Sequence, residues 1–111
     1  MEIEVGEYIR TKEGIFGKCT NKYYDSVRLE LQNGEIIGTL EHDKYKHSKN
    51  IIDLIGKDDY VNNHRIKDKW YDYGNECWHL VVEGNKHIFK EDIKTILTKE
   101  QYEQNSFKLW Y

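Results

Sequence analysis

Period-two alternation, glycine–asparagine turns and an internal repeat at an offset near 51 residues predict a mainly β chain. They divide it into two tandem small barrels, each ending in a short helical turn or helix. The alternation is clearest where Val27, Leu29 and Leu31 interleave with Arg28 and Glu30. Asn33-Gly34 follows, a dipeptide suited to the positive backbone angles of a two-residue type I′ turn. That turn sets Leu31 opposite Ile36 and puts Val27, Leu29, Leu31, Ile36, Gly38 and Leu40 on one face, the predicted core. Downstream, Trp78, Leu80 and Val82 alternate with Cys77, His79 and Val81. Gly84-Asn85 suits a type II′ turn, and Lys86–Phe89 returns with His87 on the opposite face from His79.

The repeat sets Leu31 on Val82 and Ile36 on His87. Gly6-Glu7-Tyr8-Ile9 likewise matches Asp58-Asp59-Tyr60-Val61, and Lys44 through Lys49 matches Lys94 through Lys99. Two units over 1–56 and 57–111 are expected, packed as one body. A unit of ~50 residues buries only ~60% of its unfolded surface and gains from a shared interface. Each unit opens on a strand pair: Tyr8–Thr11 with Ile15–Cys19 about Lys12-Glu13-Gly14, and Tyr60-Val61 with His64–Lys67 about Asn62-Asn63. Ser48 precedes a helical turn over 49–55, and Thr98 precedes a helix from Lys99, with Gln101 at capping-box spacing. Ser106–Tyr111 reads as a last strand. Four or five short strands in each ~50 residues suit a small barrel of SH3-like type, whose closure removes exposed edges.

Ile, Leu, Val and Phe supply 27 of 111 residues, above the roughly 20% expected of disordered chains, so a packed core is predicted. The net charge of -3, with both signs mixed along the chain, argues against a non-specific nucleic-acid binder. No apolar run approaches the ~20 residues of a membrane span. Met1–Val5 lacks the basic and apolar regions of a signal peptide. A cytoplasmic protein of a bacterial host, with Cys19 and Cys77 reduced, is expected.

Ser26, Ser48 and Ser106 lie in no nucleophile motif and no glycine-rich phosphate loop is present, so no enzyme is expected. Cys77 and His79 share a strand face, where a zinc site could begin, with Cys19, His42, His47, His64 or His87 completing it. The plainer alternative is half-buried thiols and ordinary surface histidines. With no CxxC or HxxxH pair, no cofactor is expected. Asp58-Asp59 reads as a pair of turn acids. The stretch Lys69–Glu76 is the leading candidate for a protein-binding surface, through Trp70, Tyr71, Tyr73 and Glu76. Its counterpart in the first unit carries Tyr23 and Tyr24. The competing possibility is that these rings pack between the units. Lys44, Lys46 and Lys49, with His47, form the one basic cluster, which could touch nucleic acid or stand solvated.

Val5–Thr11, His47–Ile55, Asp59–Asn62, Glu91–Lys94 and Thr98–Tyr102 together resemble a family of small tandem SH3-like proteins from Firmicutes and their phages. The resemblance spans nearly the whole chain and rests on turns and core positions. Asp58-Asp59 and Asn62-Asn63 stand where the family usually has Gly-Asp and a turn glycine. What the resemblance implies is a phage or mobile-element binding protein, foremost an anti-CRISPR inhibitor that binds a CRISPR–Cas nuclease. The alternatives are a barrel associated with nucleic acid or polymerase and a structural phage accessory protein.

Overall fold

The computed structural model describes residues 3–40 and 45–105. The predicted strand at Ser106–Tyr111 and the basic residue Lys44 lie outside them. The chain is mainly β, in two five-stranded antiparallel sheets. The first contains β1 (Tyr8–Thr11), β2 (Phe16–Lys22), β3 (Ser26–Leu31), β4 (Ile36–Leu40) and β5 (Tyr45–Ser48). The second contains β6 (Tyr60–Val61), β7 (His64–Asp72), β8 (Cys77–Val82), β9 (Lys86–Ile88) and β10 (Ile96–Leu97). A 3₁₀ turn, Ile51–Leu54, joins them, and α1 (Lys99–Asn105) follows β10. No helix among the described residues is long and apolar enough to cross a membrane.

Strand order is β4-β3-β2-β1-β5 in one sheet and β10-β6-β7-β8-β9 in the other. Read from the far edge, the second repeats the first, with its fifth strand paired to the outer side of its first. Among the described residues both sheets are open, so the barrel closure expected from the sequence is not seen there. Leu29 and Leu80, the inward leucines of the two main hairpins, are fully buried. Leu29 belongs to a cluster with Ile3, Ile9, Cys19 and Val27. Leu80 belongs to a larger one with Ile66, Val82 and Ile88, into which Phe16, Ile52, Leu54 and Ile55 from the first half also pack. Burial of these apolar groups, at ~25 cal/mol per Å², is the main force holding the halves together.

Both glycine–asparagine hairpins depart from the predicted register, for one physical reason. The first has a three-residue loop: Leu31 N–H donates to Glu35 O (2.8 Å) and Gly34 N–H to Leu31 O (3.0 Å). Gly34 alone takes a positive φ, 85°, as in a type I turn followed by a glycine bulge. Leu29 therefore faces Ile37, and Ile36 is 54% exposed. Adjacent isoleucines had left the pattern unable to choose which one turns inward, and the loop chooses Ile37. At the second hairpin Gly84 and Asn85 both take positive φ (82° and 58°), which a type II′ turn does not allow. Val81 faces His87 and Leu80 faces Ile88. His87 thus shares a face with His79, contrary to the sequence expectation. The true two-residue turn with paired positive φ is Asn62-Asn63, at 53° and 69°, between Val61 and His64.

The halves are stitched by polar groups that satisfy backbone ends. The Gln32 amide pairs with Ile96 through both its oxygen and its nitrogen, standing in for a strand on β10's free edge. Thr98 Oγ1 donates to Gly14 O (2.6 Å) and accepts from Gln101 N–H (3.2 Å), so the predicted helix cap is present. The reciprocal half of the predicted capping box is not formed: the Gln101 amide nitrogen donates across to Glu13 O (3.0 Å) instead. Asn50, not Ser48, is the N-cap of the 3₁₀ turn, and Ser48 Oγ donates to Asp53 (2.7 Å). Lys69 reaches from β7 to the carbonyls of Ile52 (2.7 Å) and Ile55 (2.9 Å), with Trp78 beneath it. Burial holds its ammonium below the ordinary lysine pKa, against the pull of Asp53 and Asp59.

Glu7 meets His47 Nδ1 at 2.5 Å and accepts from Glu4 N–H at 3.1 Å. Burial pushes its carboxyl up, but these bonds, with the charges of His47 and Lys49, outweigh it and hold the pKa below its usual value. A depressed carboxyl favours the fold where it is ionised, above the unfolded pKa of about 4.3, and that contribution disappears as pH falls through the lower folded value. Glu7→Gln is therefore expected to lower the melting midpoint at neutral pH, with the gap from the parent narrowing below about pH 4. A gap constant with pH would show that the ionised Glu7 contributes nothing.

Candidate functional site

The β7–β8 hairpin carries most of the predicted site. Trp70 pairs with His79, Tyr71 with Trp78 and Asp72 with Cys77. Directly paired residues share a sheet face, so the pleat sorts them into two sets. Leu80, Val82 and Ile88 face the core with Trp78 packed against them. The other face bears Trp70, Asp72, Cys77, His79 and, through its pairing with Val81, His87.

The hairpin tip is built by Asp72. Its Oδ1 accepts from Gly74 N–H (3.0 Å) and Asn75 N–H (3.1 Å), and its Oδ2 from the Asn75 amide (2.8 Å). These bonds from Asn75, with those from His79 and Gly74, hold its carboxyl below the ordinary aspartate pKa despite some burial. Glu76, with φ of 52°, closes the loop. The spacing Asp72-Tyr73-Gly74-Asn75 is a legible aspartate-turn signal that sequence reasoning passed over.

Tyr73 stands at this tip, 85% exposed, and Glu76 is exposed beside it. Tyr71 is half-buried between the Tyr73 and Trp78 rings, both edge-on, which makes it a support within the hairpin. Trp70 lies flat on His79, with centroids 4.0 Å apart and planes 4° from parallel, and keeps its other face partly open. In the first sheet the corresponding β2–β3 hairpin turns at Tyr23–Ser26. Tyr24 at its tip is 100% exposed, and Tyr23 lies under the Arg28 guanidinium. The packing of rings between the halves therefore involves neither Tyr24 nor Tyr73.

Beneath Trp70 sits a polar cluster. His79, only 9% exposed, places Nε2 3.1 Å from Asp72 Oδ2 and 3.8 Å from Cys77 Sγ. Its Nδ1 is 2.8 Å from Nδ1 of His87. Cys77 and His79 are thus together as their spacing predicted, Asp72 is an addition that the strand pairing supplies, and the register brings His87, a candidate expected on the opposite face, to their side. The arrangement is a poor nucleophile dyad: a catalytic carboxylate belongs on the imidazole nitrogen away from the thiol, and Asp72 occupies the same one.

Among the described residues, Lys46, His47 and Lys49 do not form one stripe. Lys49 lies 3.3 Å from Glu4, and His47 is paired to Glu7. Lys46 lines a groove with Arg10, Lys12, Lys57 and Lys99, interleaved with Asp53, Asp59 and Glu100. Asp59 is a buried ion-pair partner of Arg10, and Asp58 adopts a φ of 73° near Arg65. Neither is a free cation ligand. The chain matches no protein-family model, no curated protein and no solved structure.

Proposed function

We propose that the chain is a non-enzymatic, cytoplasmic binding protein of two SH3-like units that recognises a protein partner through the aromatic tips of its two corresponding hairpins. The observation that carries this reading is the placement of Tyr24 and Tyr73, almost fully exposed, at equivalent turns of two sheets with the same strand order. A tyrosine at a rigid turn contributes large contact area while losing few rotamers, and the bonds from Asp72 pre-organise the second tip. Glu76 and the open face of Trp70 extend that surface. The resemblance to small phage proteins makes a CRISPR–Cas nuclease the foremost partner and inhibition by surface occupation the mode of action. The pairing of His47 and Lys49 with Glu7 and Glu4, and the net charge of -3, favour this over a nucleic-acid-binding module.

The test is inhibition of target cleavage by host CRISPR–Cas effectors, with co-purification of the complex. Tyr73→Ala and Tyr24→Ala, which touch no core, should each weaken binding by about tenfold or more while the melting midpoint stays unchanged. Full binding by the doubly substituted chain would remove the hairpin tips from the interface. Undiminished cleavage by every effector tried would remove the nuclease as partner.

A further inference from the structure

We propose that the outer face of the β7–β8 hairpin is a zinc site, with Asp72, Cys77 and His79 as ligands and His87 orienting the imidazole. Among the described residues, these three donors bring their ligand atoms within 4.8 Å of one another. Zinc bonds of about 2.0–2.3 Å in a tetrahedron require donor-to-donor edges of roughly 3.3–3.8 Å. The two edges that meet at His79 Nε2 are 3.1 Å to Asp72 and 3.8 Å to Cys77, and the third is no longer than 4.8 Å, so closing the tetrahedron takes at most about 1 Å of movement. Thiolate, imidazole and carboxylate together suit zinc better than calcium or magnesium, which prefer oxygen alone. Three protein donors leave a fourth position for water.

The second half of the argument is at the other imidazole nitrogen. Metal-bound histidines are held by a hydrogen bond from the ring N–H that faces away from the metal. His79 Nδ1 has such a partner in His87 Nδ1 at 2.8 Å. Without metal, His79 carries its proton on Nε2, donates to Asp72, and accepts from His87. With zinc on Nε2, the proton resides on Nδ1 and is donated to His87, and Asp72 is released to the metal. Trp70, stacked on His79, holds the plane of the imidazole about which this exchange of tautomers takes place. The site sits just below the tip of the proposed recognition hairpin but does not rest on that proposal.

The test uses the full chain stripped with a chelator and titrated with cobalt(II), then zinc. One equivalent of cobalt should bind with a thiolate-to-metal charge-transfer band, and zinc should displace it. Cys77→Ser should abolish that band while the protein still melts cooperatively. Asp72→Asn and His87→Ala should keep the band but weaken affinity at least about tenfold. No stoichiometric uptake, a spectrum without the thiolate band, or an unaltered band in Cys77→Ser would overturn the site. These readouts are blind to any partner, so a failed metal test leaves the protein-binding proposal standing, and the reverse holds too.

Discussion

Arg10→Ala is expected to destabilise the fold by about 3 kcal/mol or more. Arg10 projects from the first sheet into the second half. Its guanidinium forms a bidentate pair with Asp59 (2.5 and 2.9 Å) and reaches Glu100 (2.6 Å) and Leu54 O (2.8 Å). Burial opposes its charge, but Asp59 and then Glu100 outweigh burial and raise its pKa. Asp59 is 1% exposed, so losing Arg10 strands a carboxylate away from water. Gly56 N–H (2.7 Å) and Lys99 N–H (2.8 Å) still reach that carboxylate, which places the cost toward the lower end of the 3–5 kcal/mol usual for a broken buried pair. In a chain whose whole stability is about 5–15 kcal/mol, such a loss is readily measured. Urea denaturation checks it. In a cycle with Asp59→Ala, the double variant should lose less than the two single losses combined. Strict additivity would mean that the two residues do not act as a pair.

Leu80→Ala should cost about 2–5 kcal/mol, the penalty of lost burial plus the cavity left behind. Leu80 lies fully buried in the larger cluster, where side chains from both halves meet. Ile36→Ala, by contrast, should fall within about 0.5 kcal/mol of the parent, because Ile36 projects to solvent. The comparison tests the register directly. Had the first hairpin closed on a two-residue turn, Ile36 would be a core residue and its truncation would rival that of Leu80. Denaturation midpoints of the two variants decide between these outcomes.

The strands themselves were readable because alternation in Val27–Leu31 and Trp78–Val82 has a simple cause: every second side chain must leave water. The turn at Asn62-Asn63 was readable for a similar reason, since two adjacent asparagines tolerate positive φ. The positions of the two glycine–asparagine loops follow from the sequence, but their lengths do not. Each takes one residue more than the dipeptide suggested, and neighbouring apolar pairs, Ile36-Ile37 and Val81-Val82, offered no hydrophobic contrast to detect the slip. That single step moved His87 onto the face of His79. At the site, Cys77 and His79 were legible from their spacing, whereas Asp72 entered through a cross-strand pairing.

From its own order of residues the chain determines where strands, turns and helix cap fall, and that aromatic rings crowd the β7–β8 hairpin, because these depend on neighbours a few positions apart. Only the tertiary structure decides that Arg10 meets Asp59, that Gln32 covers the edge of β10, and that Asp72, Cys77, His79 and His87 converge. Those contacts depend on register and on the packing of one half against the other. Both are set by the burial of many side chains at once, and no local pattern encodes that sum.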